Sequence, residues 1–205
     1  MTSIITADII NSRFSDTEHW MGILKQSLGK IGTDPQDWKI FRGDSFQVEI
    51  KDPKLALREA IKIKSNLKQI KNIDVRMCIG IGDKTYQASS ITESNGTAFL
   101  HSGDGFEFFK SKKQSLGIKS SQPEFDNDVN MMLRLALIVM DSWTPVLAEY
   151  VSIALDETNL NQDKIGELLN ISQSSVSERK TRSNYQEIND MISWYEQKIT
   201  HFNFQ

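Results

Sequence analysis

Apolar residues take every second position from Ile73 to Ile81, with Asp74, Arg76, Cys78 and Gly80 between them. That alternation is the period of a β-strand, whose side chains point in turn to opposite faces. A strand this regular needs a sheet, and its partners lie on both sides in the chain. Residues 3–10 are rich in β-branched side chains and bounded by polar residues, which predicts a strand buried on both faces. Trp38, Ile40, Phe46, Val48 and Ile50 flank Gly43-Asp44 in near alternation, the pattern of a hairpin. Leu116-Gly117-Ile118 predicts one more short strand.

Helix spacing fills the intervals. Ser15-Asp16-Thr17-Glu18 offers a capping box, followed by apolar residues at Trp20, Ile23, Leu24, Leu28 and Ile31. Asp52-Pro53 predicts a second helix, as N-cap and first helical position, with Ala56, Leu57, Ala60, Ile61, Ile63, Leu67 and Ile70 on its apolar face. A polar loop over 82–96 leads to a third helix near 97–112 carrying Phe99, Phe106 and Phe109. The order β-α-β-β-α-β-(α)-β predicts an α+β fold, a ferredoxin-like or palm-type split βαβ sheet with helices on one face.

Composition shifts at Ser120-Ser121-Gln122-Pro123-Glu124, read as a linker. Beyond it every segment has helix spacing: about 127–142, 145–157, 161–169, 172–182 and 185–200. Two domains are therefore expected, a sheet domain over 1–122 and a helical domain over 127–205. Within the second, residues 161–182 form a helix-turn-helix pattern. Ile165, Leu168 and Leu169 face the core from its first helix, Gly166 allows a close crossing, Ile171 plugs the turn, and Val176 packs from the second helix. Ser172 is an N-cap candidate, which leaves Gln173, Ser174, Ser175, Ser177, Arg179 and Lys180 for the outer face; Ser172 and Arg182 complete the expected DNA-binding set. Amides and hydroxyls reach base edges or phosphates, and the basic residues neutralise phosphates, so double-stranded DNA is the expected partner. The last helix, with Ile188, Met191, Ile192, Tyr195 and Ile199 on one face, is suited to core packing or to pairing with a second chain.

The formal charge of −3 over 205 residues gives no global nucleic-acid signal, so DNA contact has to come from a local patch. No apolar run approaches the roughly 20 residues that span a bilayer, and the N-terminus lacks a secretory pattern. Cys78 is the single cysteine and lies in an apolar alternation, so a buried thiol in a reducing cytoplasm is expected. His19, His101 and His201 fall in three different segments, without the spacing of a zinc site.

Two carboxylates carry the chemistry of the first domain. Asp8 closes the first strand and Asp44 lies at the hairpin, so the fold can bring both to one sheet edge. Singly, each is ordinary turn chemistry; paired, such oxygens hold Mg²⁺ or Mn²⁺ against nucleotide phosphates.

Ala7-Asp8-Ile9 and Gly43-Asp44-Ser45 resemble the two metal-binding elements of class III nucleotidyl cyclases, whose layout diguanylate cyclases and polymerase palms share. Val75-Arg76-Met77-Cys78-Ile79-Gly80-Ile81-Gly82 is similar to the strand after the second helix in those enzymes. The resemblance covers residues 1–120. It implies metal ligation by Asp8, Asp44 and the carbonyl of Ile9, with phosphates against Ile10, Asn11 and Ser12 and with Arg13, Arg42 and Gly43 nearby. The chain departs from the cyclases where catalysis would need it. Leu100 and Asp104 stand where those enzymes carry Asn and Arg, and Ile40 where they carry a purine-selecting Lys, with Lys39 one place off. The whole arrangement is most similar to the SatD-like family. Its opening motif is matched by Ala7-Asp8-Ile9-Ile10-Asn11-Ser12-Arg13 and its second signature by Phe41-Arg42-Gly43-Asp44-Ser45-Phe46. The function expected is a DNA-binding transcriptional regulator with a nucleotide- and metal-binding palm-like sensor, working as a homodimer. The alternatives are a nucleotidyl cyclase or nucleotidyltransferase with an appended DNA-binding domain, and a palm-fold pseudoenzyme used for dimerisation.

Overall fold

The computed structural model describes residues 1–156 and 160–202. Five strands form one mixed sheet: β1 (Thr2–Ile10), β2 (Trp38–Phe41), β3 (Ser45–Ile50), β4 (Asp74–Gly82) and β5 (Leu116–Lys119). Their spatial order is β2-β3-β1-β4-β5. The pairings are antiparallel except for β4 with β5, which run parallel. The helices are α1 (Thr17–Gly29), α2 (Ala56–Leu67), α3 (Thr97–Ser111), α4 (Pro123–Met140), α5 (Pro145–Asp156), α6 (Gln162–Leu169), α7 (Gln173–Arg182) and α8 (Tyr185–Lys198). The ends expected at residues 157 and 205 lie outside the described residues.

The period-2 pattern sorts the sheet into two faces. Ile5, Ala7 and Ile9 of β1 share a core with Val75, Met77, Ile79 and Ile81 of β4 and with Trp20, Leu24 and Leu28 of α1 and Leu57 and Ile61 of α2. Ile4 and Cys78 point the other way. Ile4 packs on Ile91 and Ala98, and Cys78 on Phe106 and Phe109. The expectation of helices on one face is thus corrected, because α3 covers the opposite face. Gly80 permits it: a Cβ there would collide with the Ser102 nitrogen and the Ala98 carbonyl of α3. Cys78 is buried as expected, and burial pushes its thiol pKa far up.

Local chemistry moves several element boundaries. The cap of α1 is Asp16, whose carboxylate accepts from the Glu18 N–H at 3.0 Å, not Ser15. Asp52 caps a 3₁₀ turn over Pro53–Leu55, and α2 starts only after it. The expected linker is partly helix, since Pro123 occupies the first turn of α4. Ser120 is pinned there: Asp126 accepts from its N–H at 2.8 Å and its hydroxyl at 2.6 Å.

Edge strand β5 is closed by a side chain. The Ile118 N–H donates to Asn130 Oδ1 at 2.9 Å, and Asn130 Nδ2 donates to the Ile118 carbonyl at 2.8 Å. An amide thereby takes the place of a sixth strand and protects the edge.

One continuous apolar core runs from the sheet through α2 into the helical segment, ending at Ile188, Met191, Ile192, Tyr195 and Ile199. The last helix uses its apolar face for this packing. Tyr195 donates its hydroxyl to the Pro53 carbonyl at 2.8 Å. Lys64 of α2, with 0% of its side chain exposed, reaches Asp74 at 2.8 Å and Asp141 at 2.8 Å. Lys68 adds a bond to the Asp141 carbonyl at 2.8 Å. These contacts tie the strand end, α2 and the end of α4 together.

Candidate functional site

β1 and β3 bring Asp8 and Asp44 together through their main chains. Asp8 lies opposite Ser45 in the pairing, and the Ile9 N–H donates to the Asp44 carbonyl at 3.0 Å. Their carboxylates have different partners. Both oxygens of Asp8 accept from Arg76 Nη1 at 3.2 Å, and Lys110 Nζ stands 3.3 Å from Oδ2. Asp44 Oδ2 accepts from the Ser12 hydroxyl at 2.7 Å.

A divalent ion fits this arrangement poorly. It would have to displace a guanidinium and an ammonium from Asp8 and then sit beside both. Among the described residues there is no cluster of three or more Asp, Glu, His or Cys side chains able to hold a metal. Arg76 and Lys110 put two cationic groups beside Asp8 at this end of β1. Arg76 Nε is buried without a hydrogen-bond acceptor.

Two clefts flank the end of β1. The first, of about 720 Å³, lies between the sheet and α3 and is lined by Thr6, Asp8, Phe41, Arg42, Ser45, Asp104, Lys110 and Lys119 among others. Lys110 also lies over the Phe106 ring, 5.3 Å from its centroid. The second, of about 460 Å³, opens toward the helical segment beside Ile10, Asn11, Lys68, Lys71, Lys113 and Asp141. Among the described residues Arg13, Arg42, Lys71 and Lys113 have no ion-pair partner, although the chain as a whole is acidic.

The expected phosphate-binding residues divide accordingly. Asn11 and Ile10 line the second cleft, and Arg42 the first. Arg13 is exposed, whereas Ser12 is buried and donates its hydroxyl to Asp44. Arg42 and Gly43 both have positive φ, 53° and 87°, in the three-residue turn from β2 to β3. Left-handed backbone costs a non-glycine residue about 1 kcal/mol, and here it sets Arg42 at the rim of the first cleft. Leu100 and Asp104 take no cyclase role: Leu100 is exposed, and Asp104 pairs with Lys119 at 3.1 Å. Lys39 is turned to Asp34 at 3.2 Å. Sequence reading missed Arg76 and Lys110 as site residues. Arg76 is on the α3 face of β4, directly opposite Asp8 in the β1–β4 register, a pairing that no local pattern in the sequence shows.

In the helical segment, α6 and α7 are joined through Asn170–Ser172. Asn170 ends α6 in the left-handed conformation at φ 53°, and Ser172 caps α7 by accepting from the Ser175 N–H at 3.2 Å. Ile165, Gly166 and Val176 are buried. A Cβ on Gly166 would stand 2.9 Å from the Ile171 carbonyl, so the close approach is to the turn. Leu168 departs from expectation: it is exposed, because the interior side of α6 is completed by Ile165 and half-buried Leu169. Ser172, Gln173, Ser174 and Arg182 are exposed, with Ser175, Ser177 and Lys180 half-buried. Arg179 is not on the outer face: its Nη1 donates to Glu149 of α5 at 2.8 Å. Arg182 pairs with Glu178 at 3.1 Å on the surface.

Among the described residues no helix is long and apolar enough to cross a membrane. Compared with protein-family models, with curated proteins and with solved structures, the chain matches none.

Proposed function

We propose that this chain is a DNA-binding transcriptional regulator with a palm-like nucleotide-sensing domain, the arrangement of the SatD-like family that its two motifs resemble. The observation that carries the reading is the exposed row Ser172, Gln173 and Ser174 at the N-terminal end of α7. Exposed hydroxyls and an amide at the start of a capped helix are the groups that a recognition helix offers to base edges; here they bond one another and Gln162, exposed contacts that a base edge would replace. The Arg182–Glu178 pair is an exposed i,i+4 contact worth about 0.3–0.5 kcal/mol, which a DNA phosphate outcompetes. In this reading the nucleotide's phosphates meet Arg42 and Lys110 in the first cleft, with Arg76 holding Asp8 beside them, and Mg²⁺ is not their bridge. The enzyme alternative gains nothing from Leu100 and Asp104, which supply no group to stabilise a transferring phosphate.

Selection of duplexes from a random pool tests the reading. The full chain is expected to enrich a defined sequence. Gln173→Ala should relax the preference at one base position, at about 1–3 kcal/mol for a lost bidentate contact. Arg182→Ala should weaken binding to all sequences alike and flatten its salt dependence. No enrichment by the wild-type chain would overturn the DNA reading.

A further inference from the structure

Three of the large hydrophobic residues exposed to solvent lie on helix α4. Met131, Leu135 and Ile138 are 52%, 65% and 73% exposed. Their spacing of four and three residues puts them in one stripe along the helix. Beside the stripe a groove of about 290 Å³ runs between α4 and α8, lined by Met132, Ala136, Val139, Ile188 and Met191. Apolar ridge and apolar groove therefore lie next to each other on one face. Two charges border them: Arg134 on α4 and Glu187 on α8, neither with an ion-pair partner among the described residues.

We infer that this face is the surface on which a second copy of the chain docks. A two-fold pair brings the same patch together from both sides, so the patch must be complementary to itself. A ridge adjoining a groove meets that condition, and so does a face carrying one unpaired cation and one unpaired anion. The apolar stripe from Met131 to Ile138 runs about 10 Å along the helix. A stable interface removes about 800 Å² of accessible surface per partner, so the pairing takes in the polar rim around stripe and groove as well. The sheet edge at β5 is not a rival route to pairing, because Asn130 already closes it. The inference goes beyond the DNA and nucleotide reading and needs neither ligand.

Sedimentation equilibrium of the full chain, without DNA or nucleotide, tests it. The wild type is expected to be dimeric at up to about 100 μM, within the range of specific association. Leu135→Glu and Ile138→Glu should each raise the dissociation constant at least about tenfold, or 1.4 kcal/mol. Both side chains are mostly solvated, so unfolding midpoints should stay put, which separates lost pairing from lost folding. Leu135→Cys, at the middle of the stripe, should cross-link to its counterpart on oxidation, while buried Cys78 leaves the wild type monomeric on a denaturing gel. A wild type that stays monomeric, or a dimer that Leu135→Glu leaves intact, would overturn the assignment.

Discussion

Replacing Asp8 by Asn separates two opposite accounts of the sheet site. If Asp8 were a metal ligand, the amide would abolish nucleotide binding. In the structure its carboxylate instead neutralises Arg76 and Lys110, at 3.2 Å and 3.3 Å. A phosphate taking over those two cations would sit about 6 Å from the Asp8 carboxylate. One unit charge at that distance is repelled by about 2.8 kcal/mol at an effective dielectric constant of about 20. Lys110 is half exposed, and salt and water roughly halve the figure to about 1.4 kcal/mol. Asp8→Asn is therefore expected to bind nucleoside triphosphates about tenfold more tightly than wild type. Calorimetric titration in chelator, and again with Mg²⁺, measures this directly. Loss of binding in the variant, or wild-type binding that appears only with Mg²⁺, would refute the reasoning and restore the metal site.

Further outcomes follow from the contacts around the site. Asp74→Ala should cost about 3 kcal/mol in denaturant unfolding, because Lys64 stays buried with only Asp141 to pair it, whereas Lys64→Met should cost clearly less. Glu149→Gln should free Arg179 for phosphate, raising DNA affinity and steepening its salt dependence; unchanged affinity would place Arg179 outside the interface. Burial disfavours the charged form of Asp156, but Lys30 and Lys62 outweigh it and its pKa falls below the ordinary 3.8. The stabilisation is complete above that value and is lost as pH drops through the lower folded-state pKa, so Asp156→Asn should flatten the stability profile in that acidic window.

Much of this architecture is legible in the chain because it is periodic. The alternation from Ile73 to Ile81, the hairpin around Gly43 and the apolar spacing of α1, α2 and α8 are local signals; the strands, α1 and α8 stand within about two residues of their expected places, while α2 is three residues shorter at each end. What sequence reading missed is set by partners distant in the chain. Small residues at Gly80 and Gly105 let α3 lie against the far face of β4, but nothing local shows which face a helix will take. Arg76 is 68 positions from Asp8, so the neutralisation of that carboxylate follows only from the β1–β4 register. Arg179 likewise lost its expected surface position to Glu149, on a helix outside the motif. Asp8 and Asp44 themselves were found correctly as neighbours along the backbone. Their carboxylates diverge because each is met by a closer partner.

The most direct test of the regulator reading is the DNA affinity of the wild-type chain for its selected duplex, followed by fluorescence anisotropy with and without nucleoside triphosphate in chelator. The nucleotide should change that affinity without any divalent metal, and Arg76→Ala should bind DNA but lose the response. An affinity indifferent to every nucleotide, or a response that requires Mg²⁺, would contradict that reading.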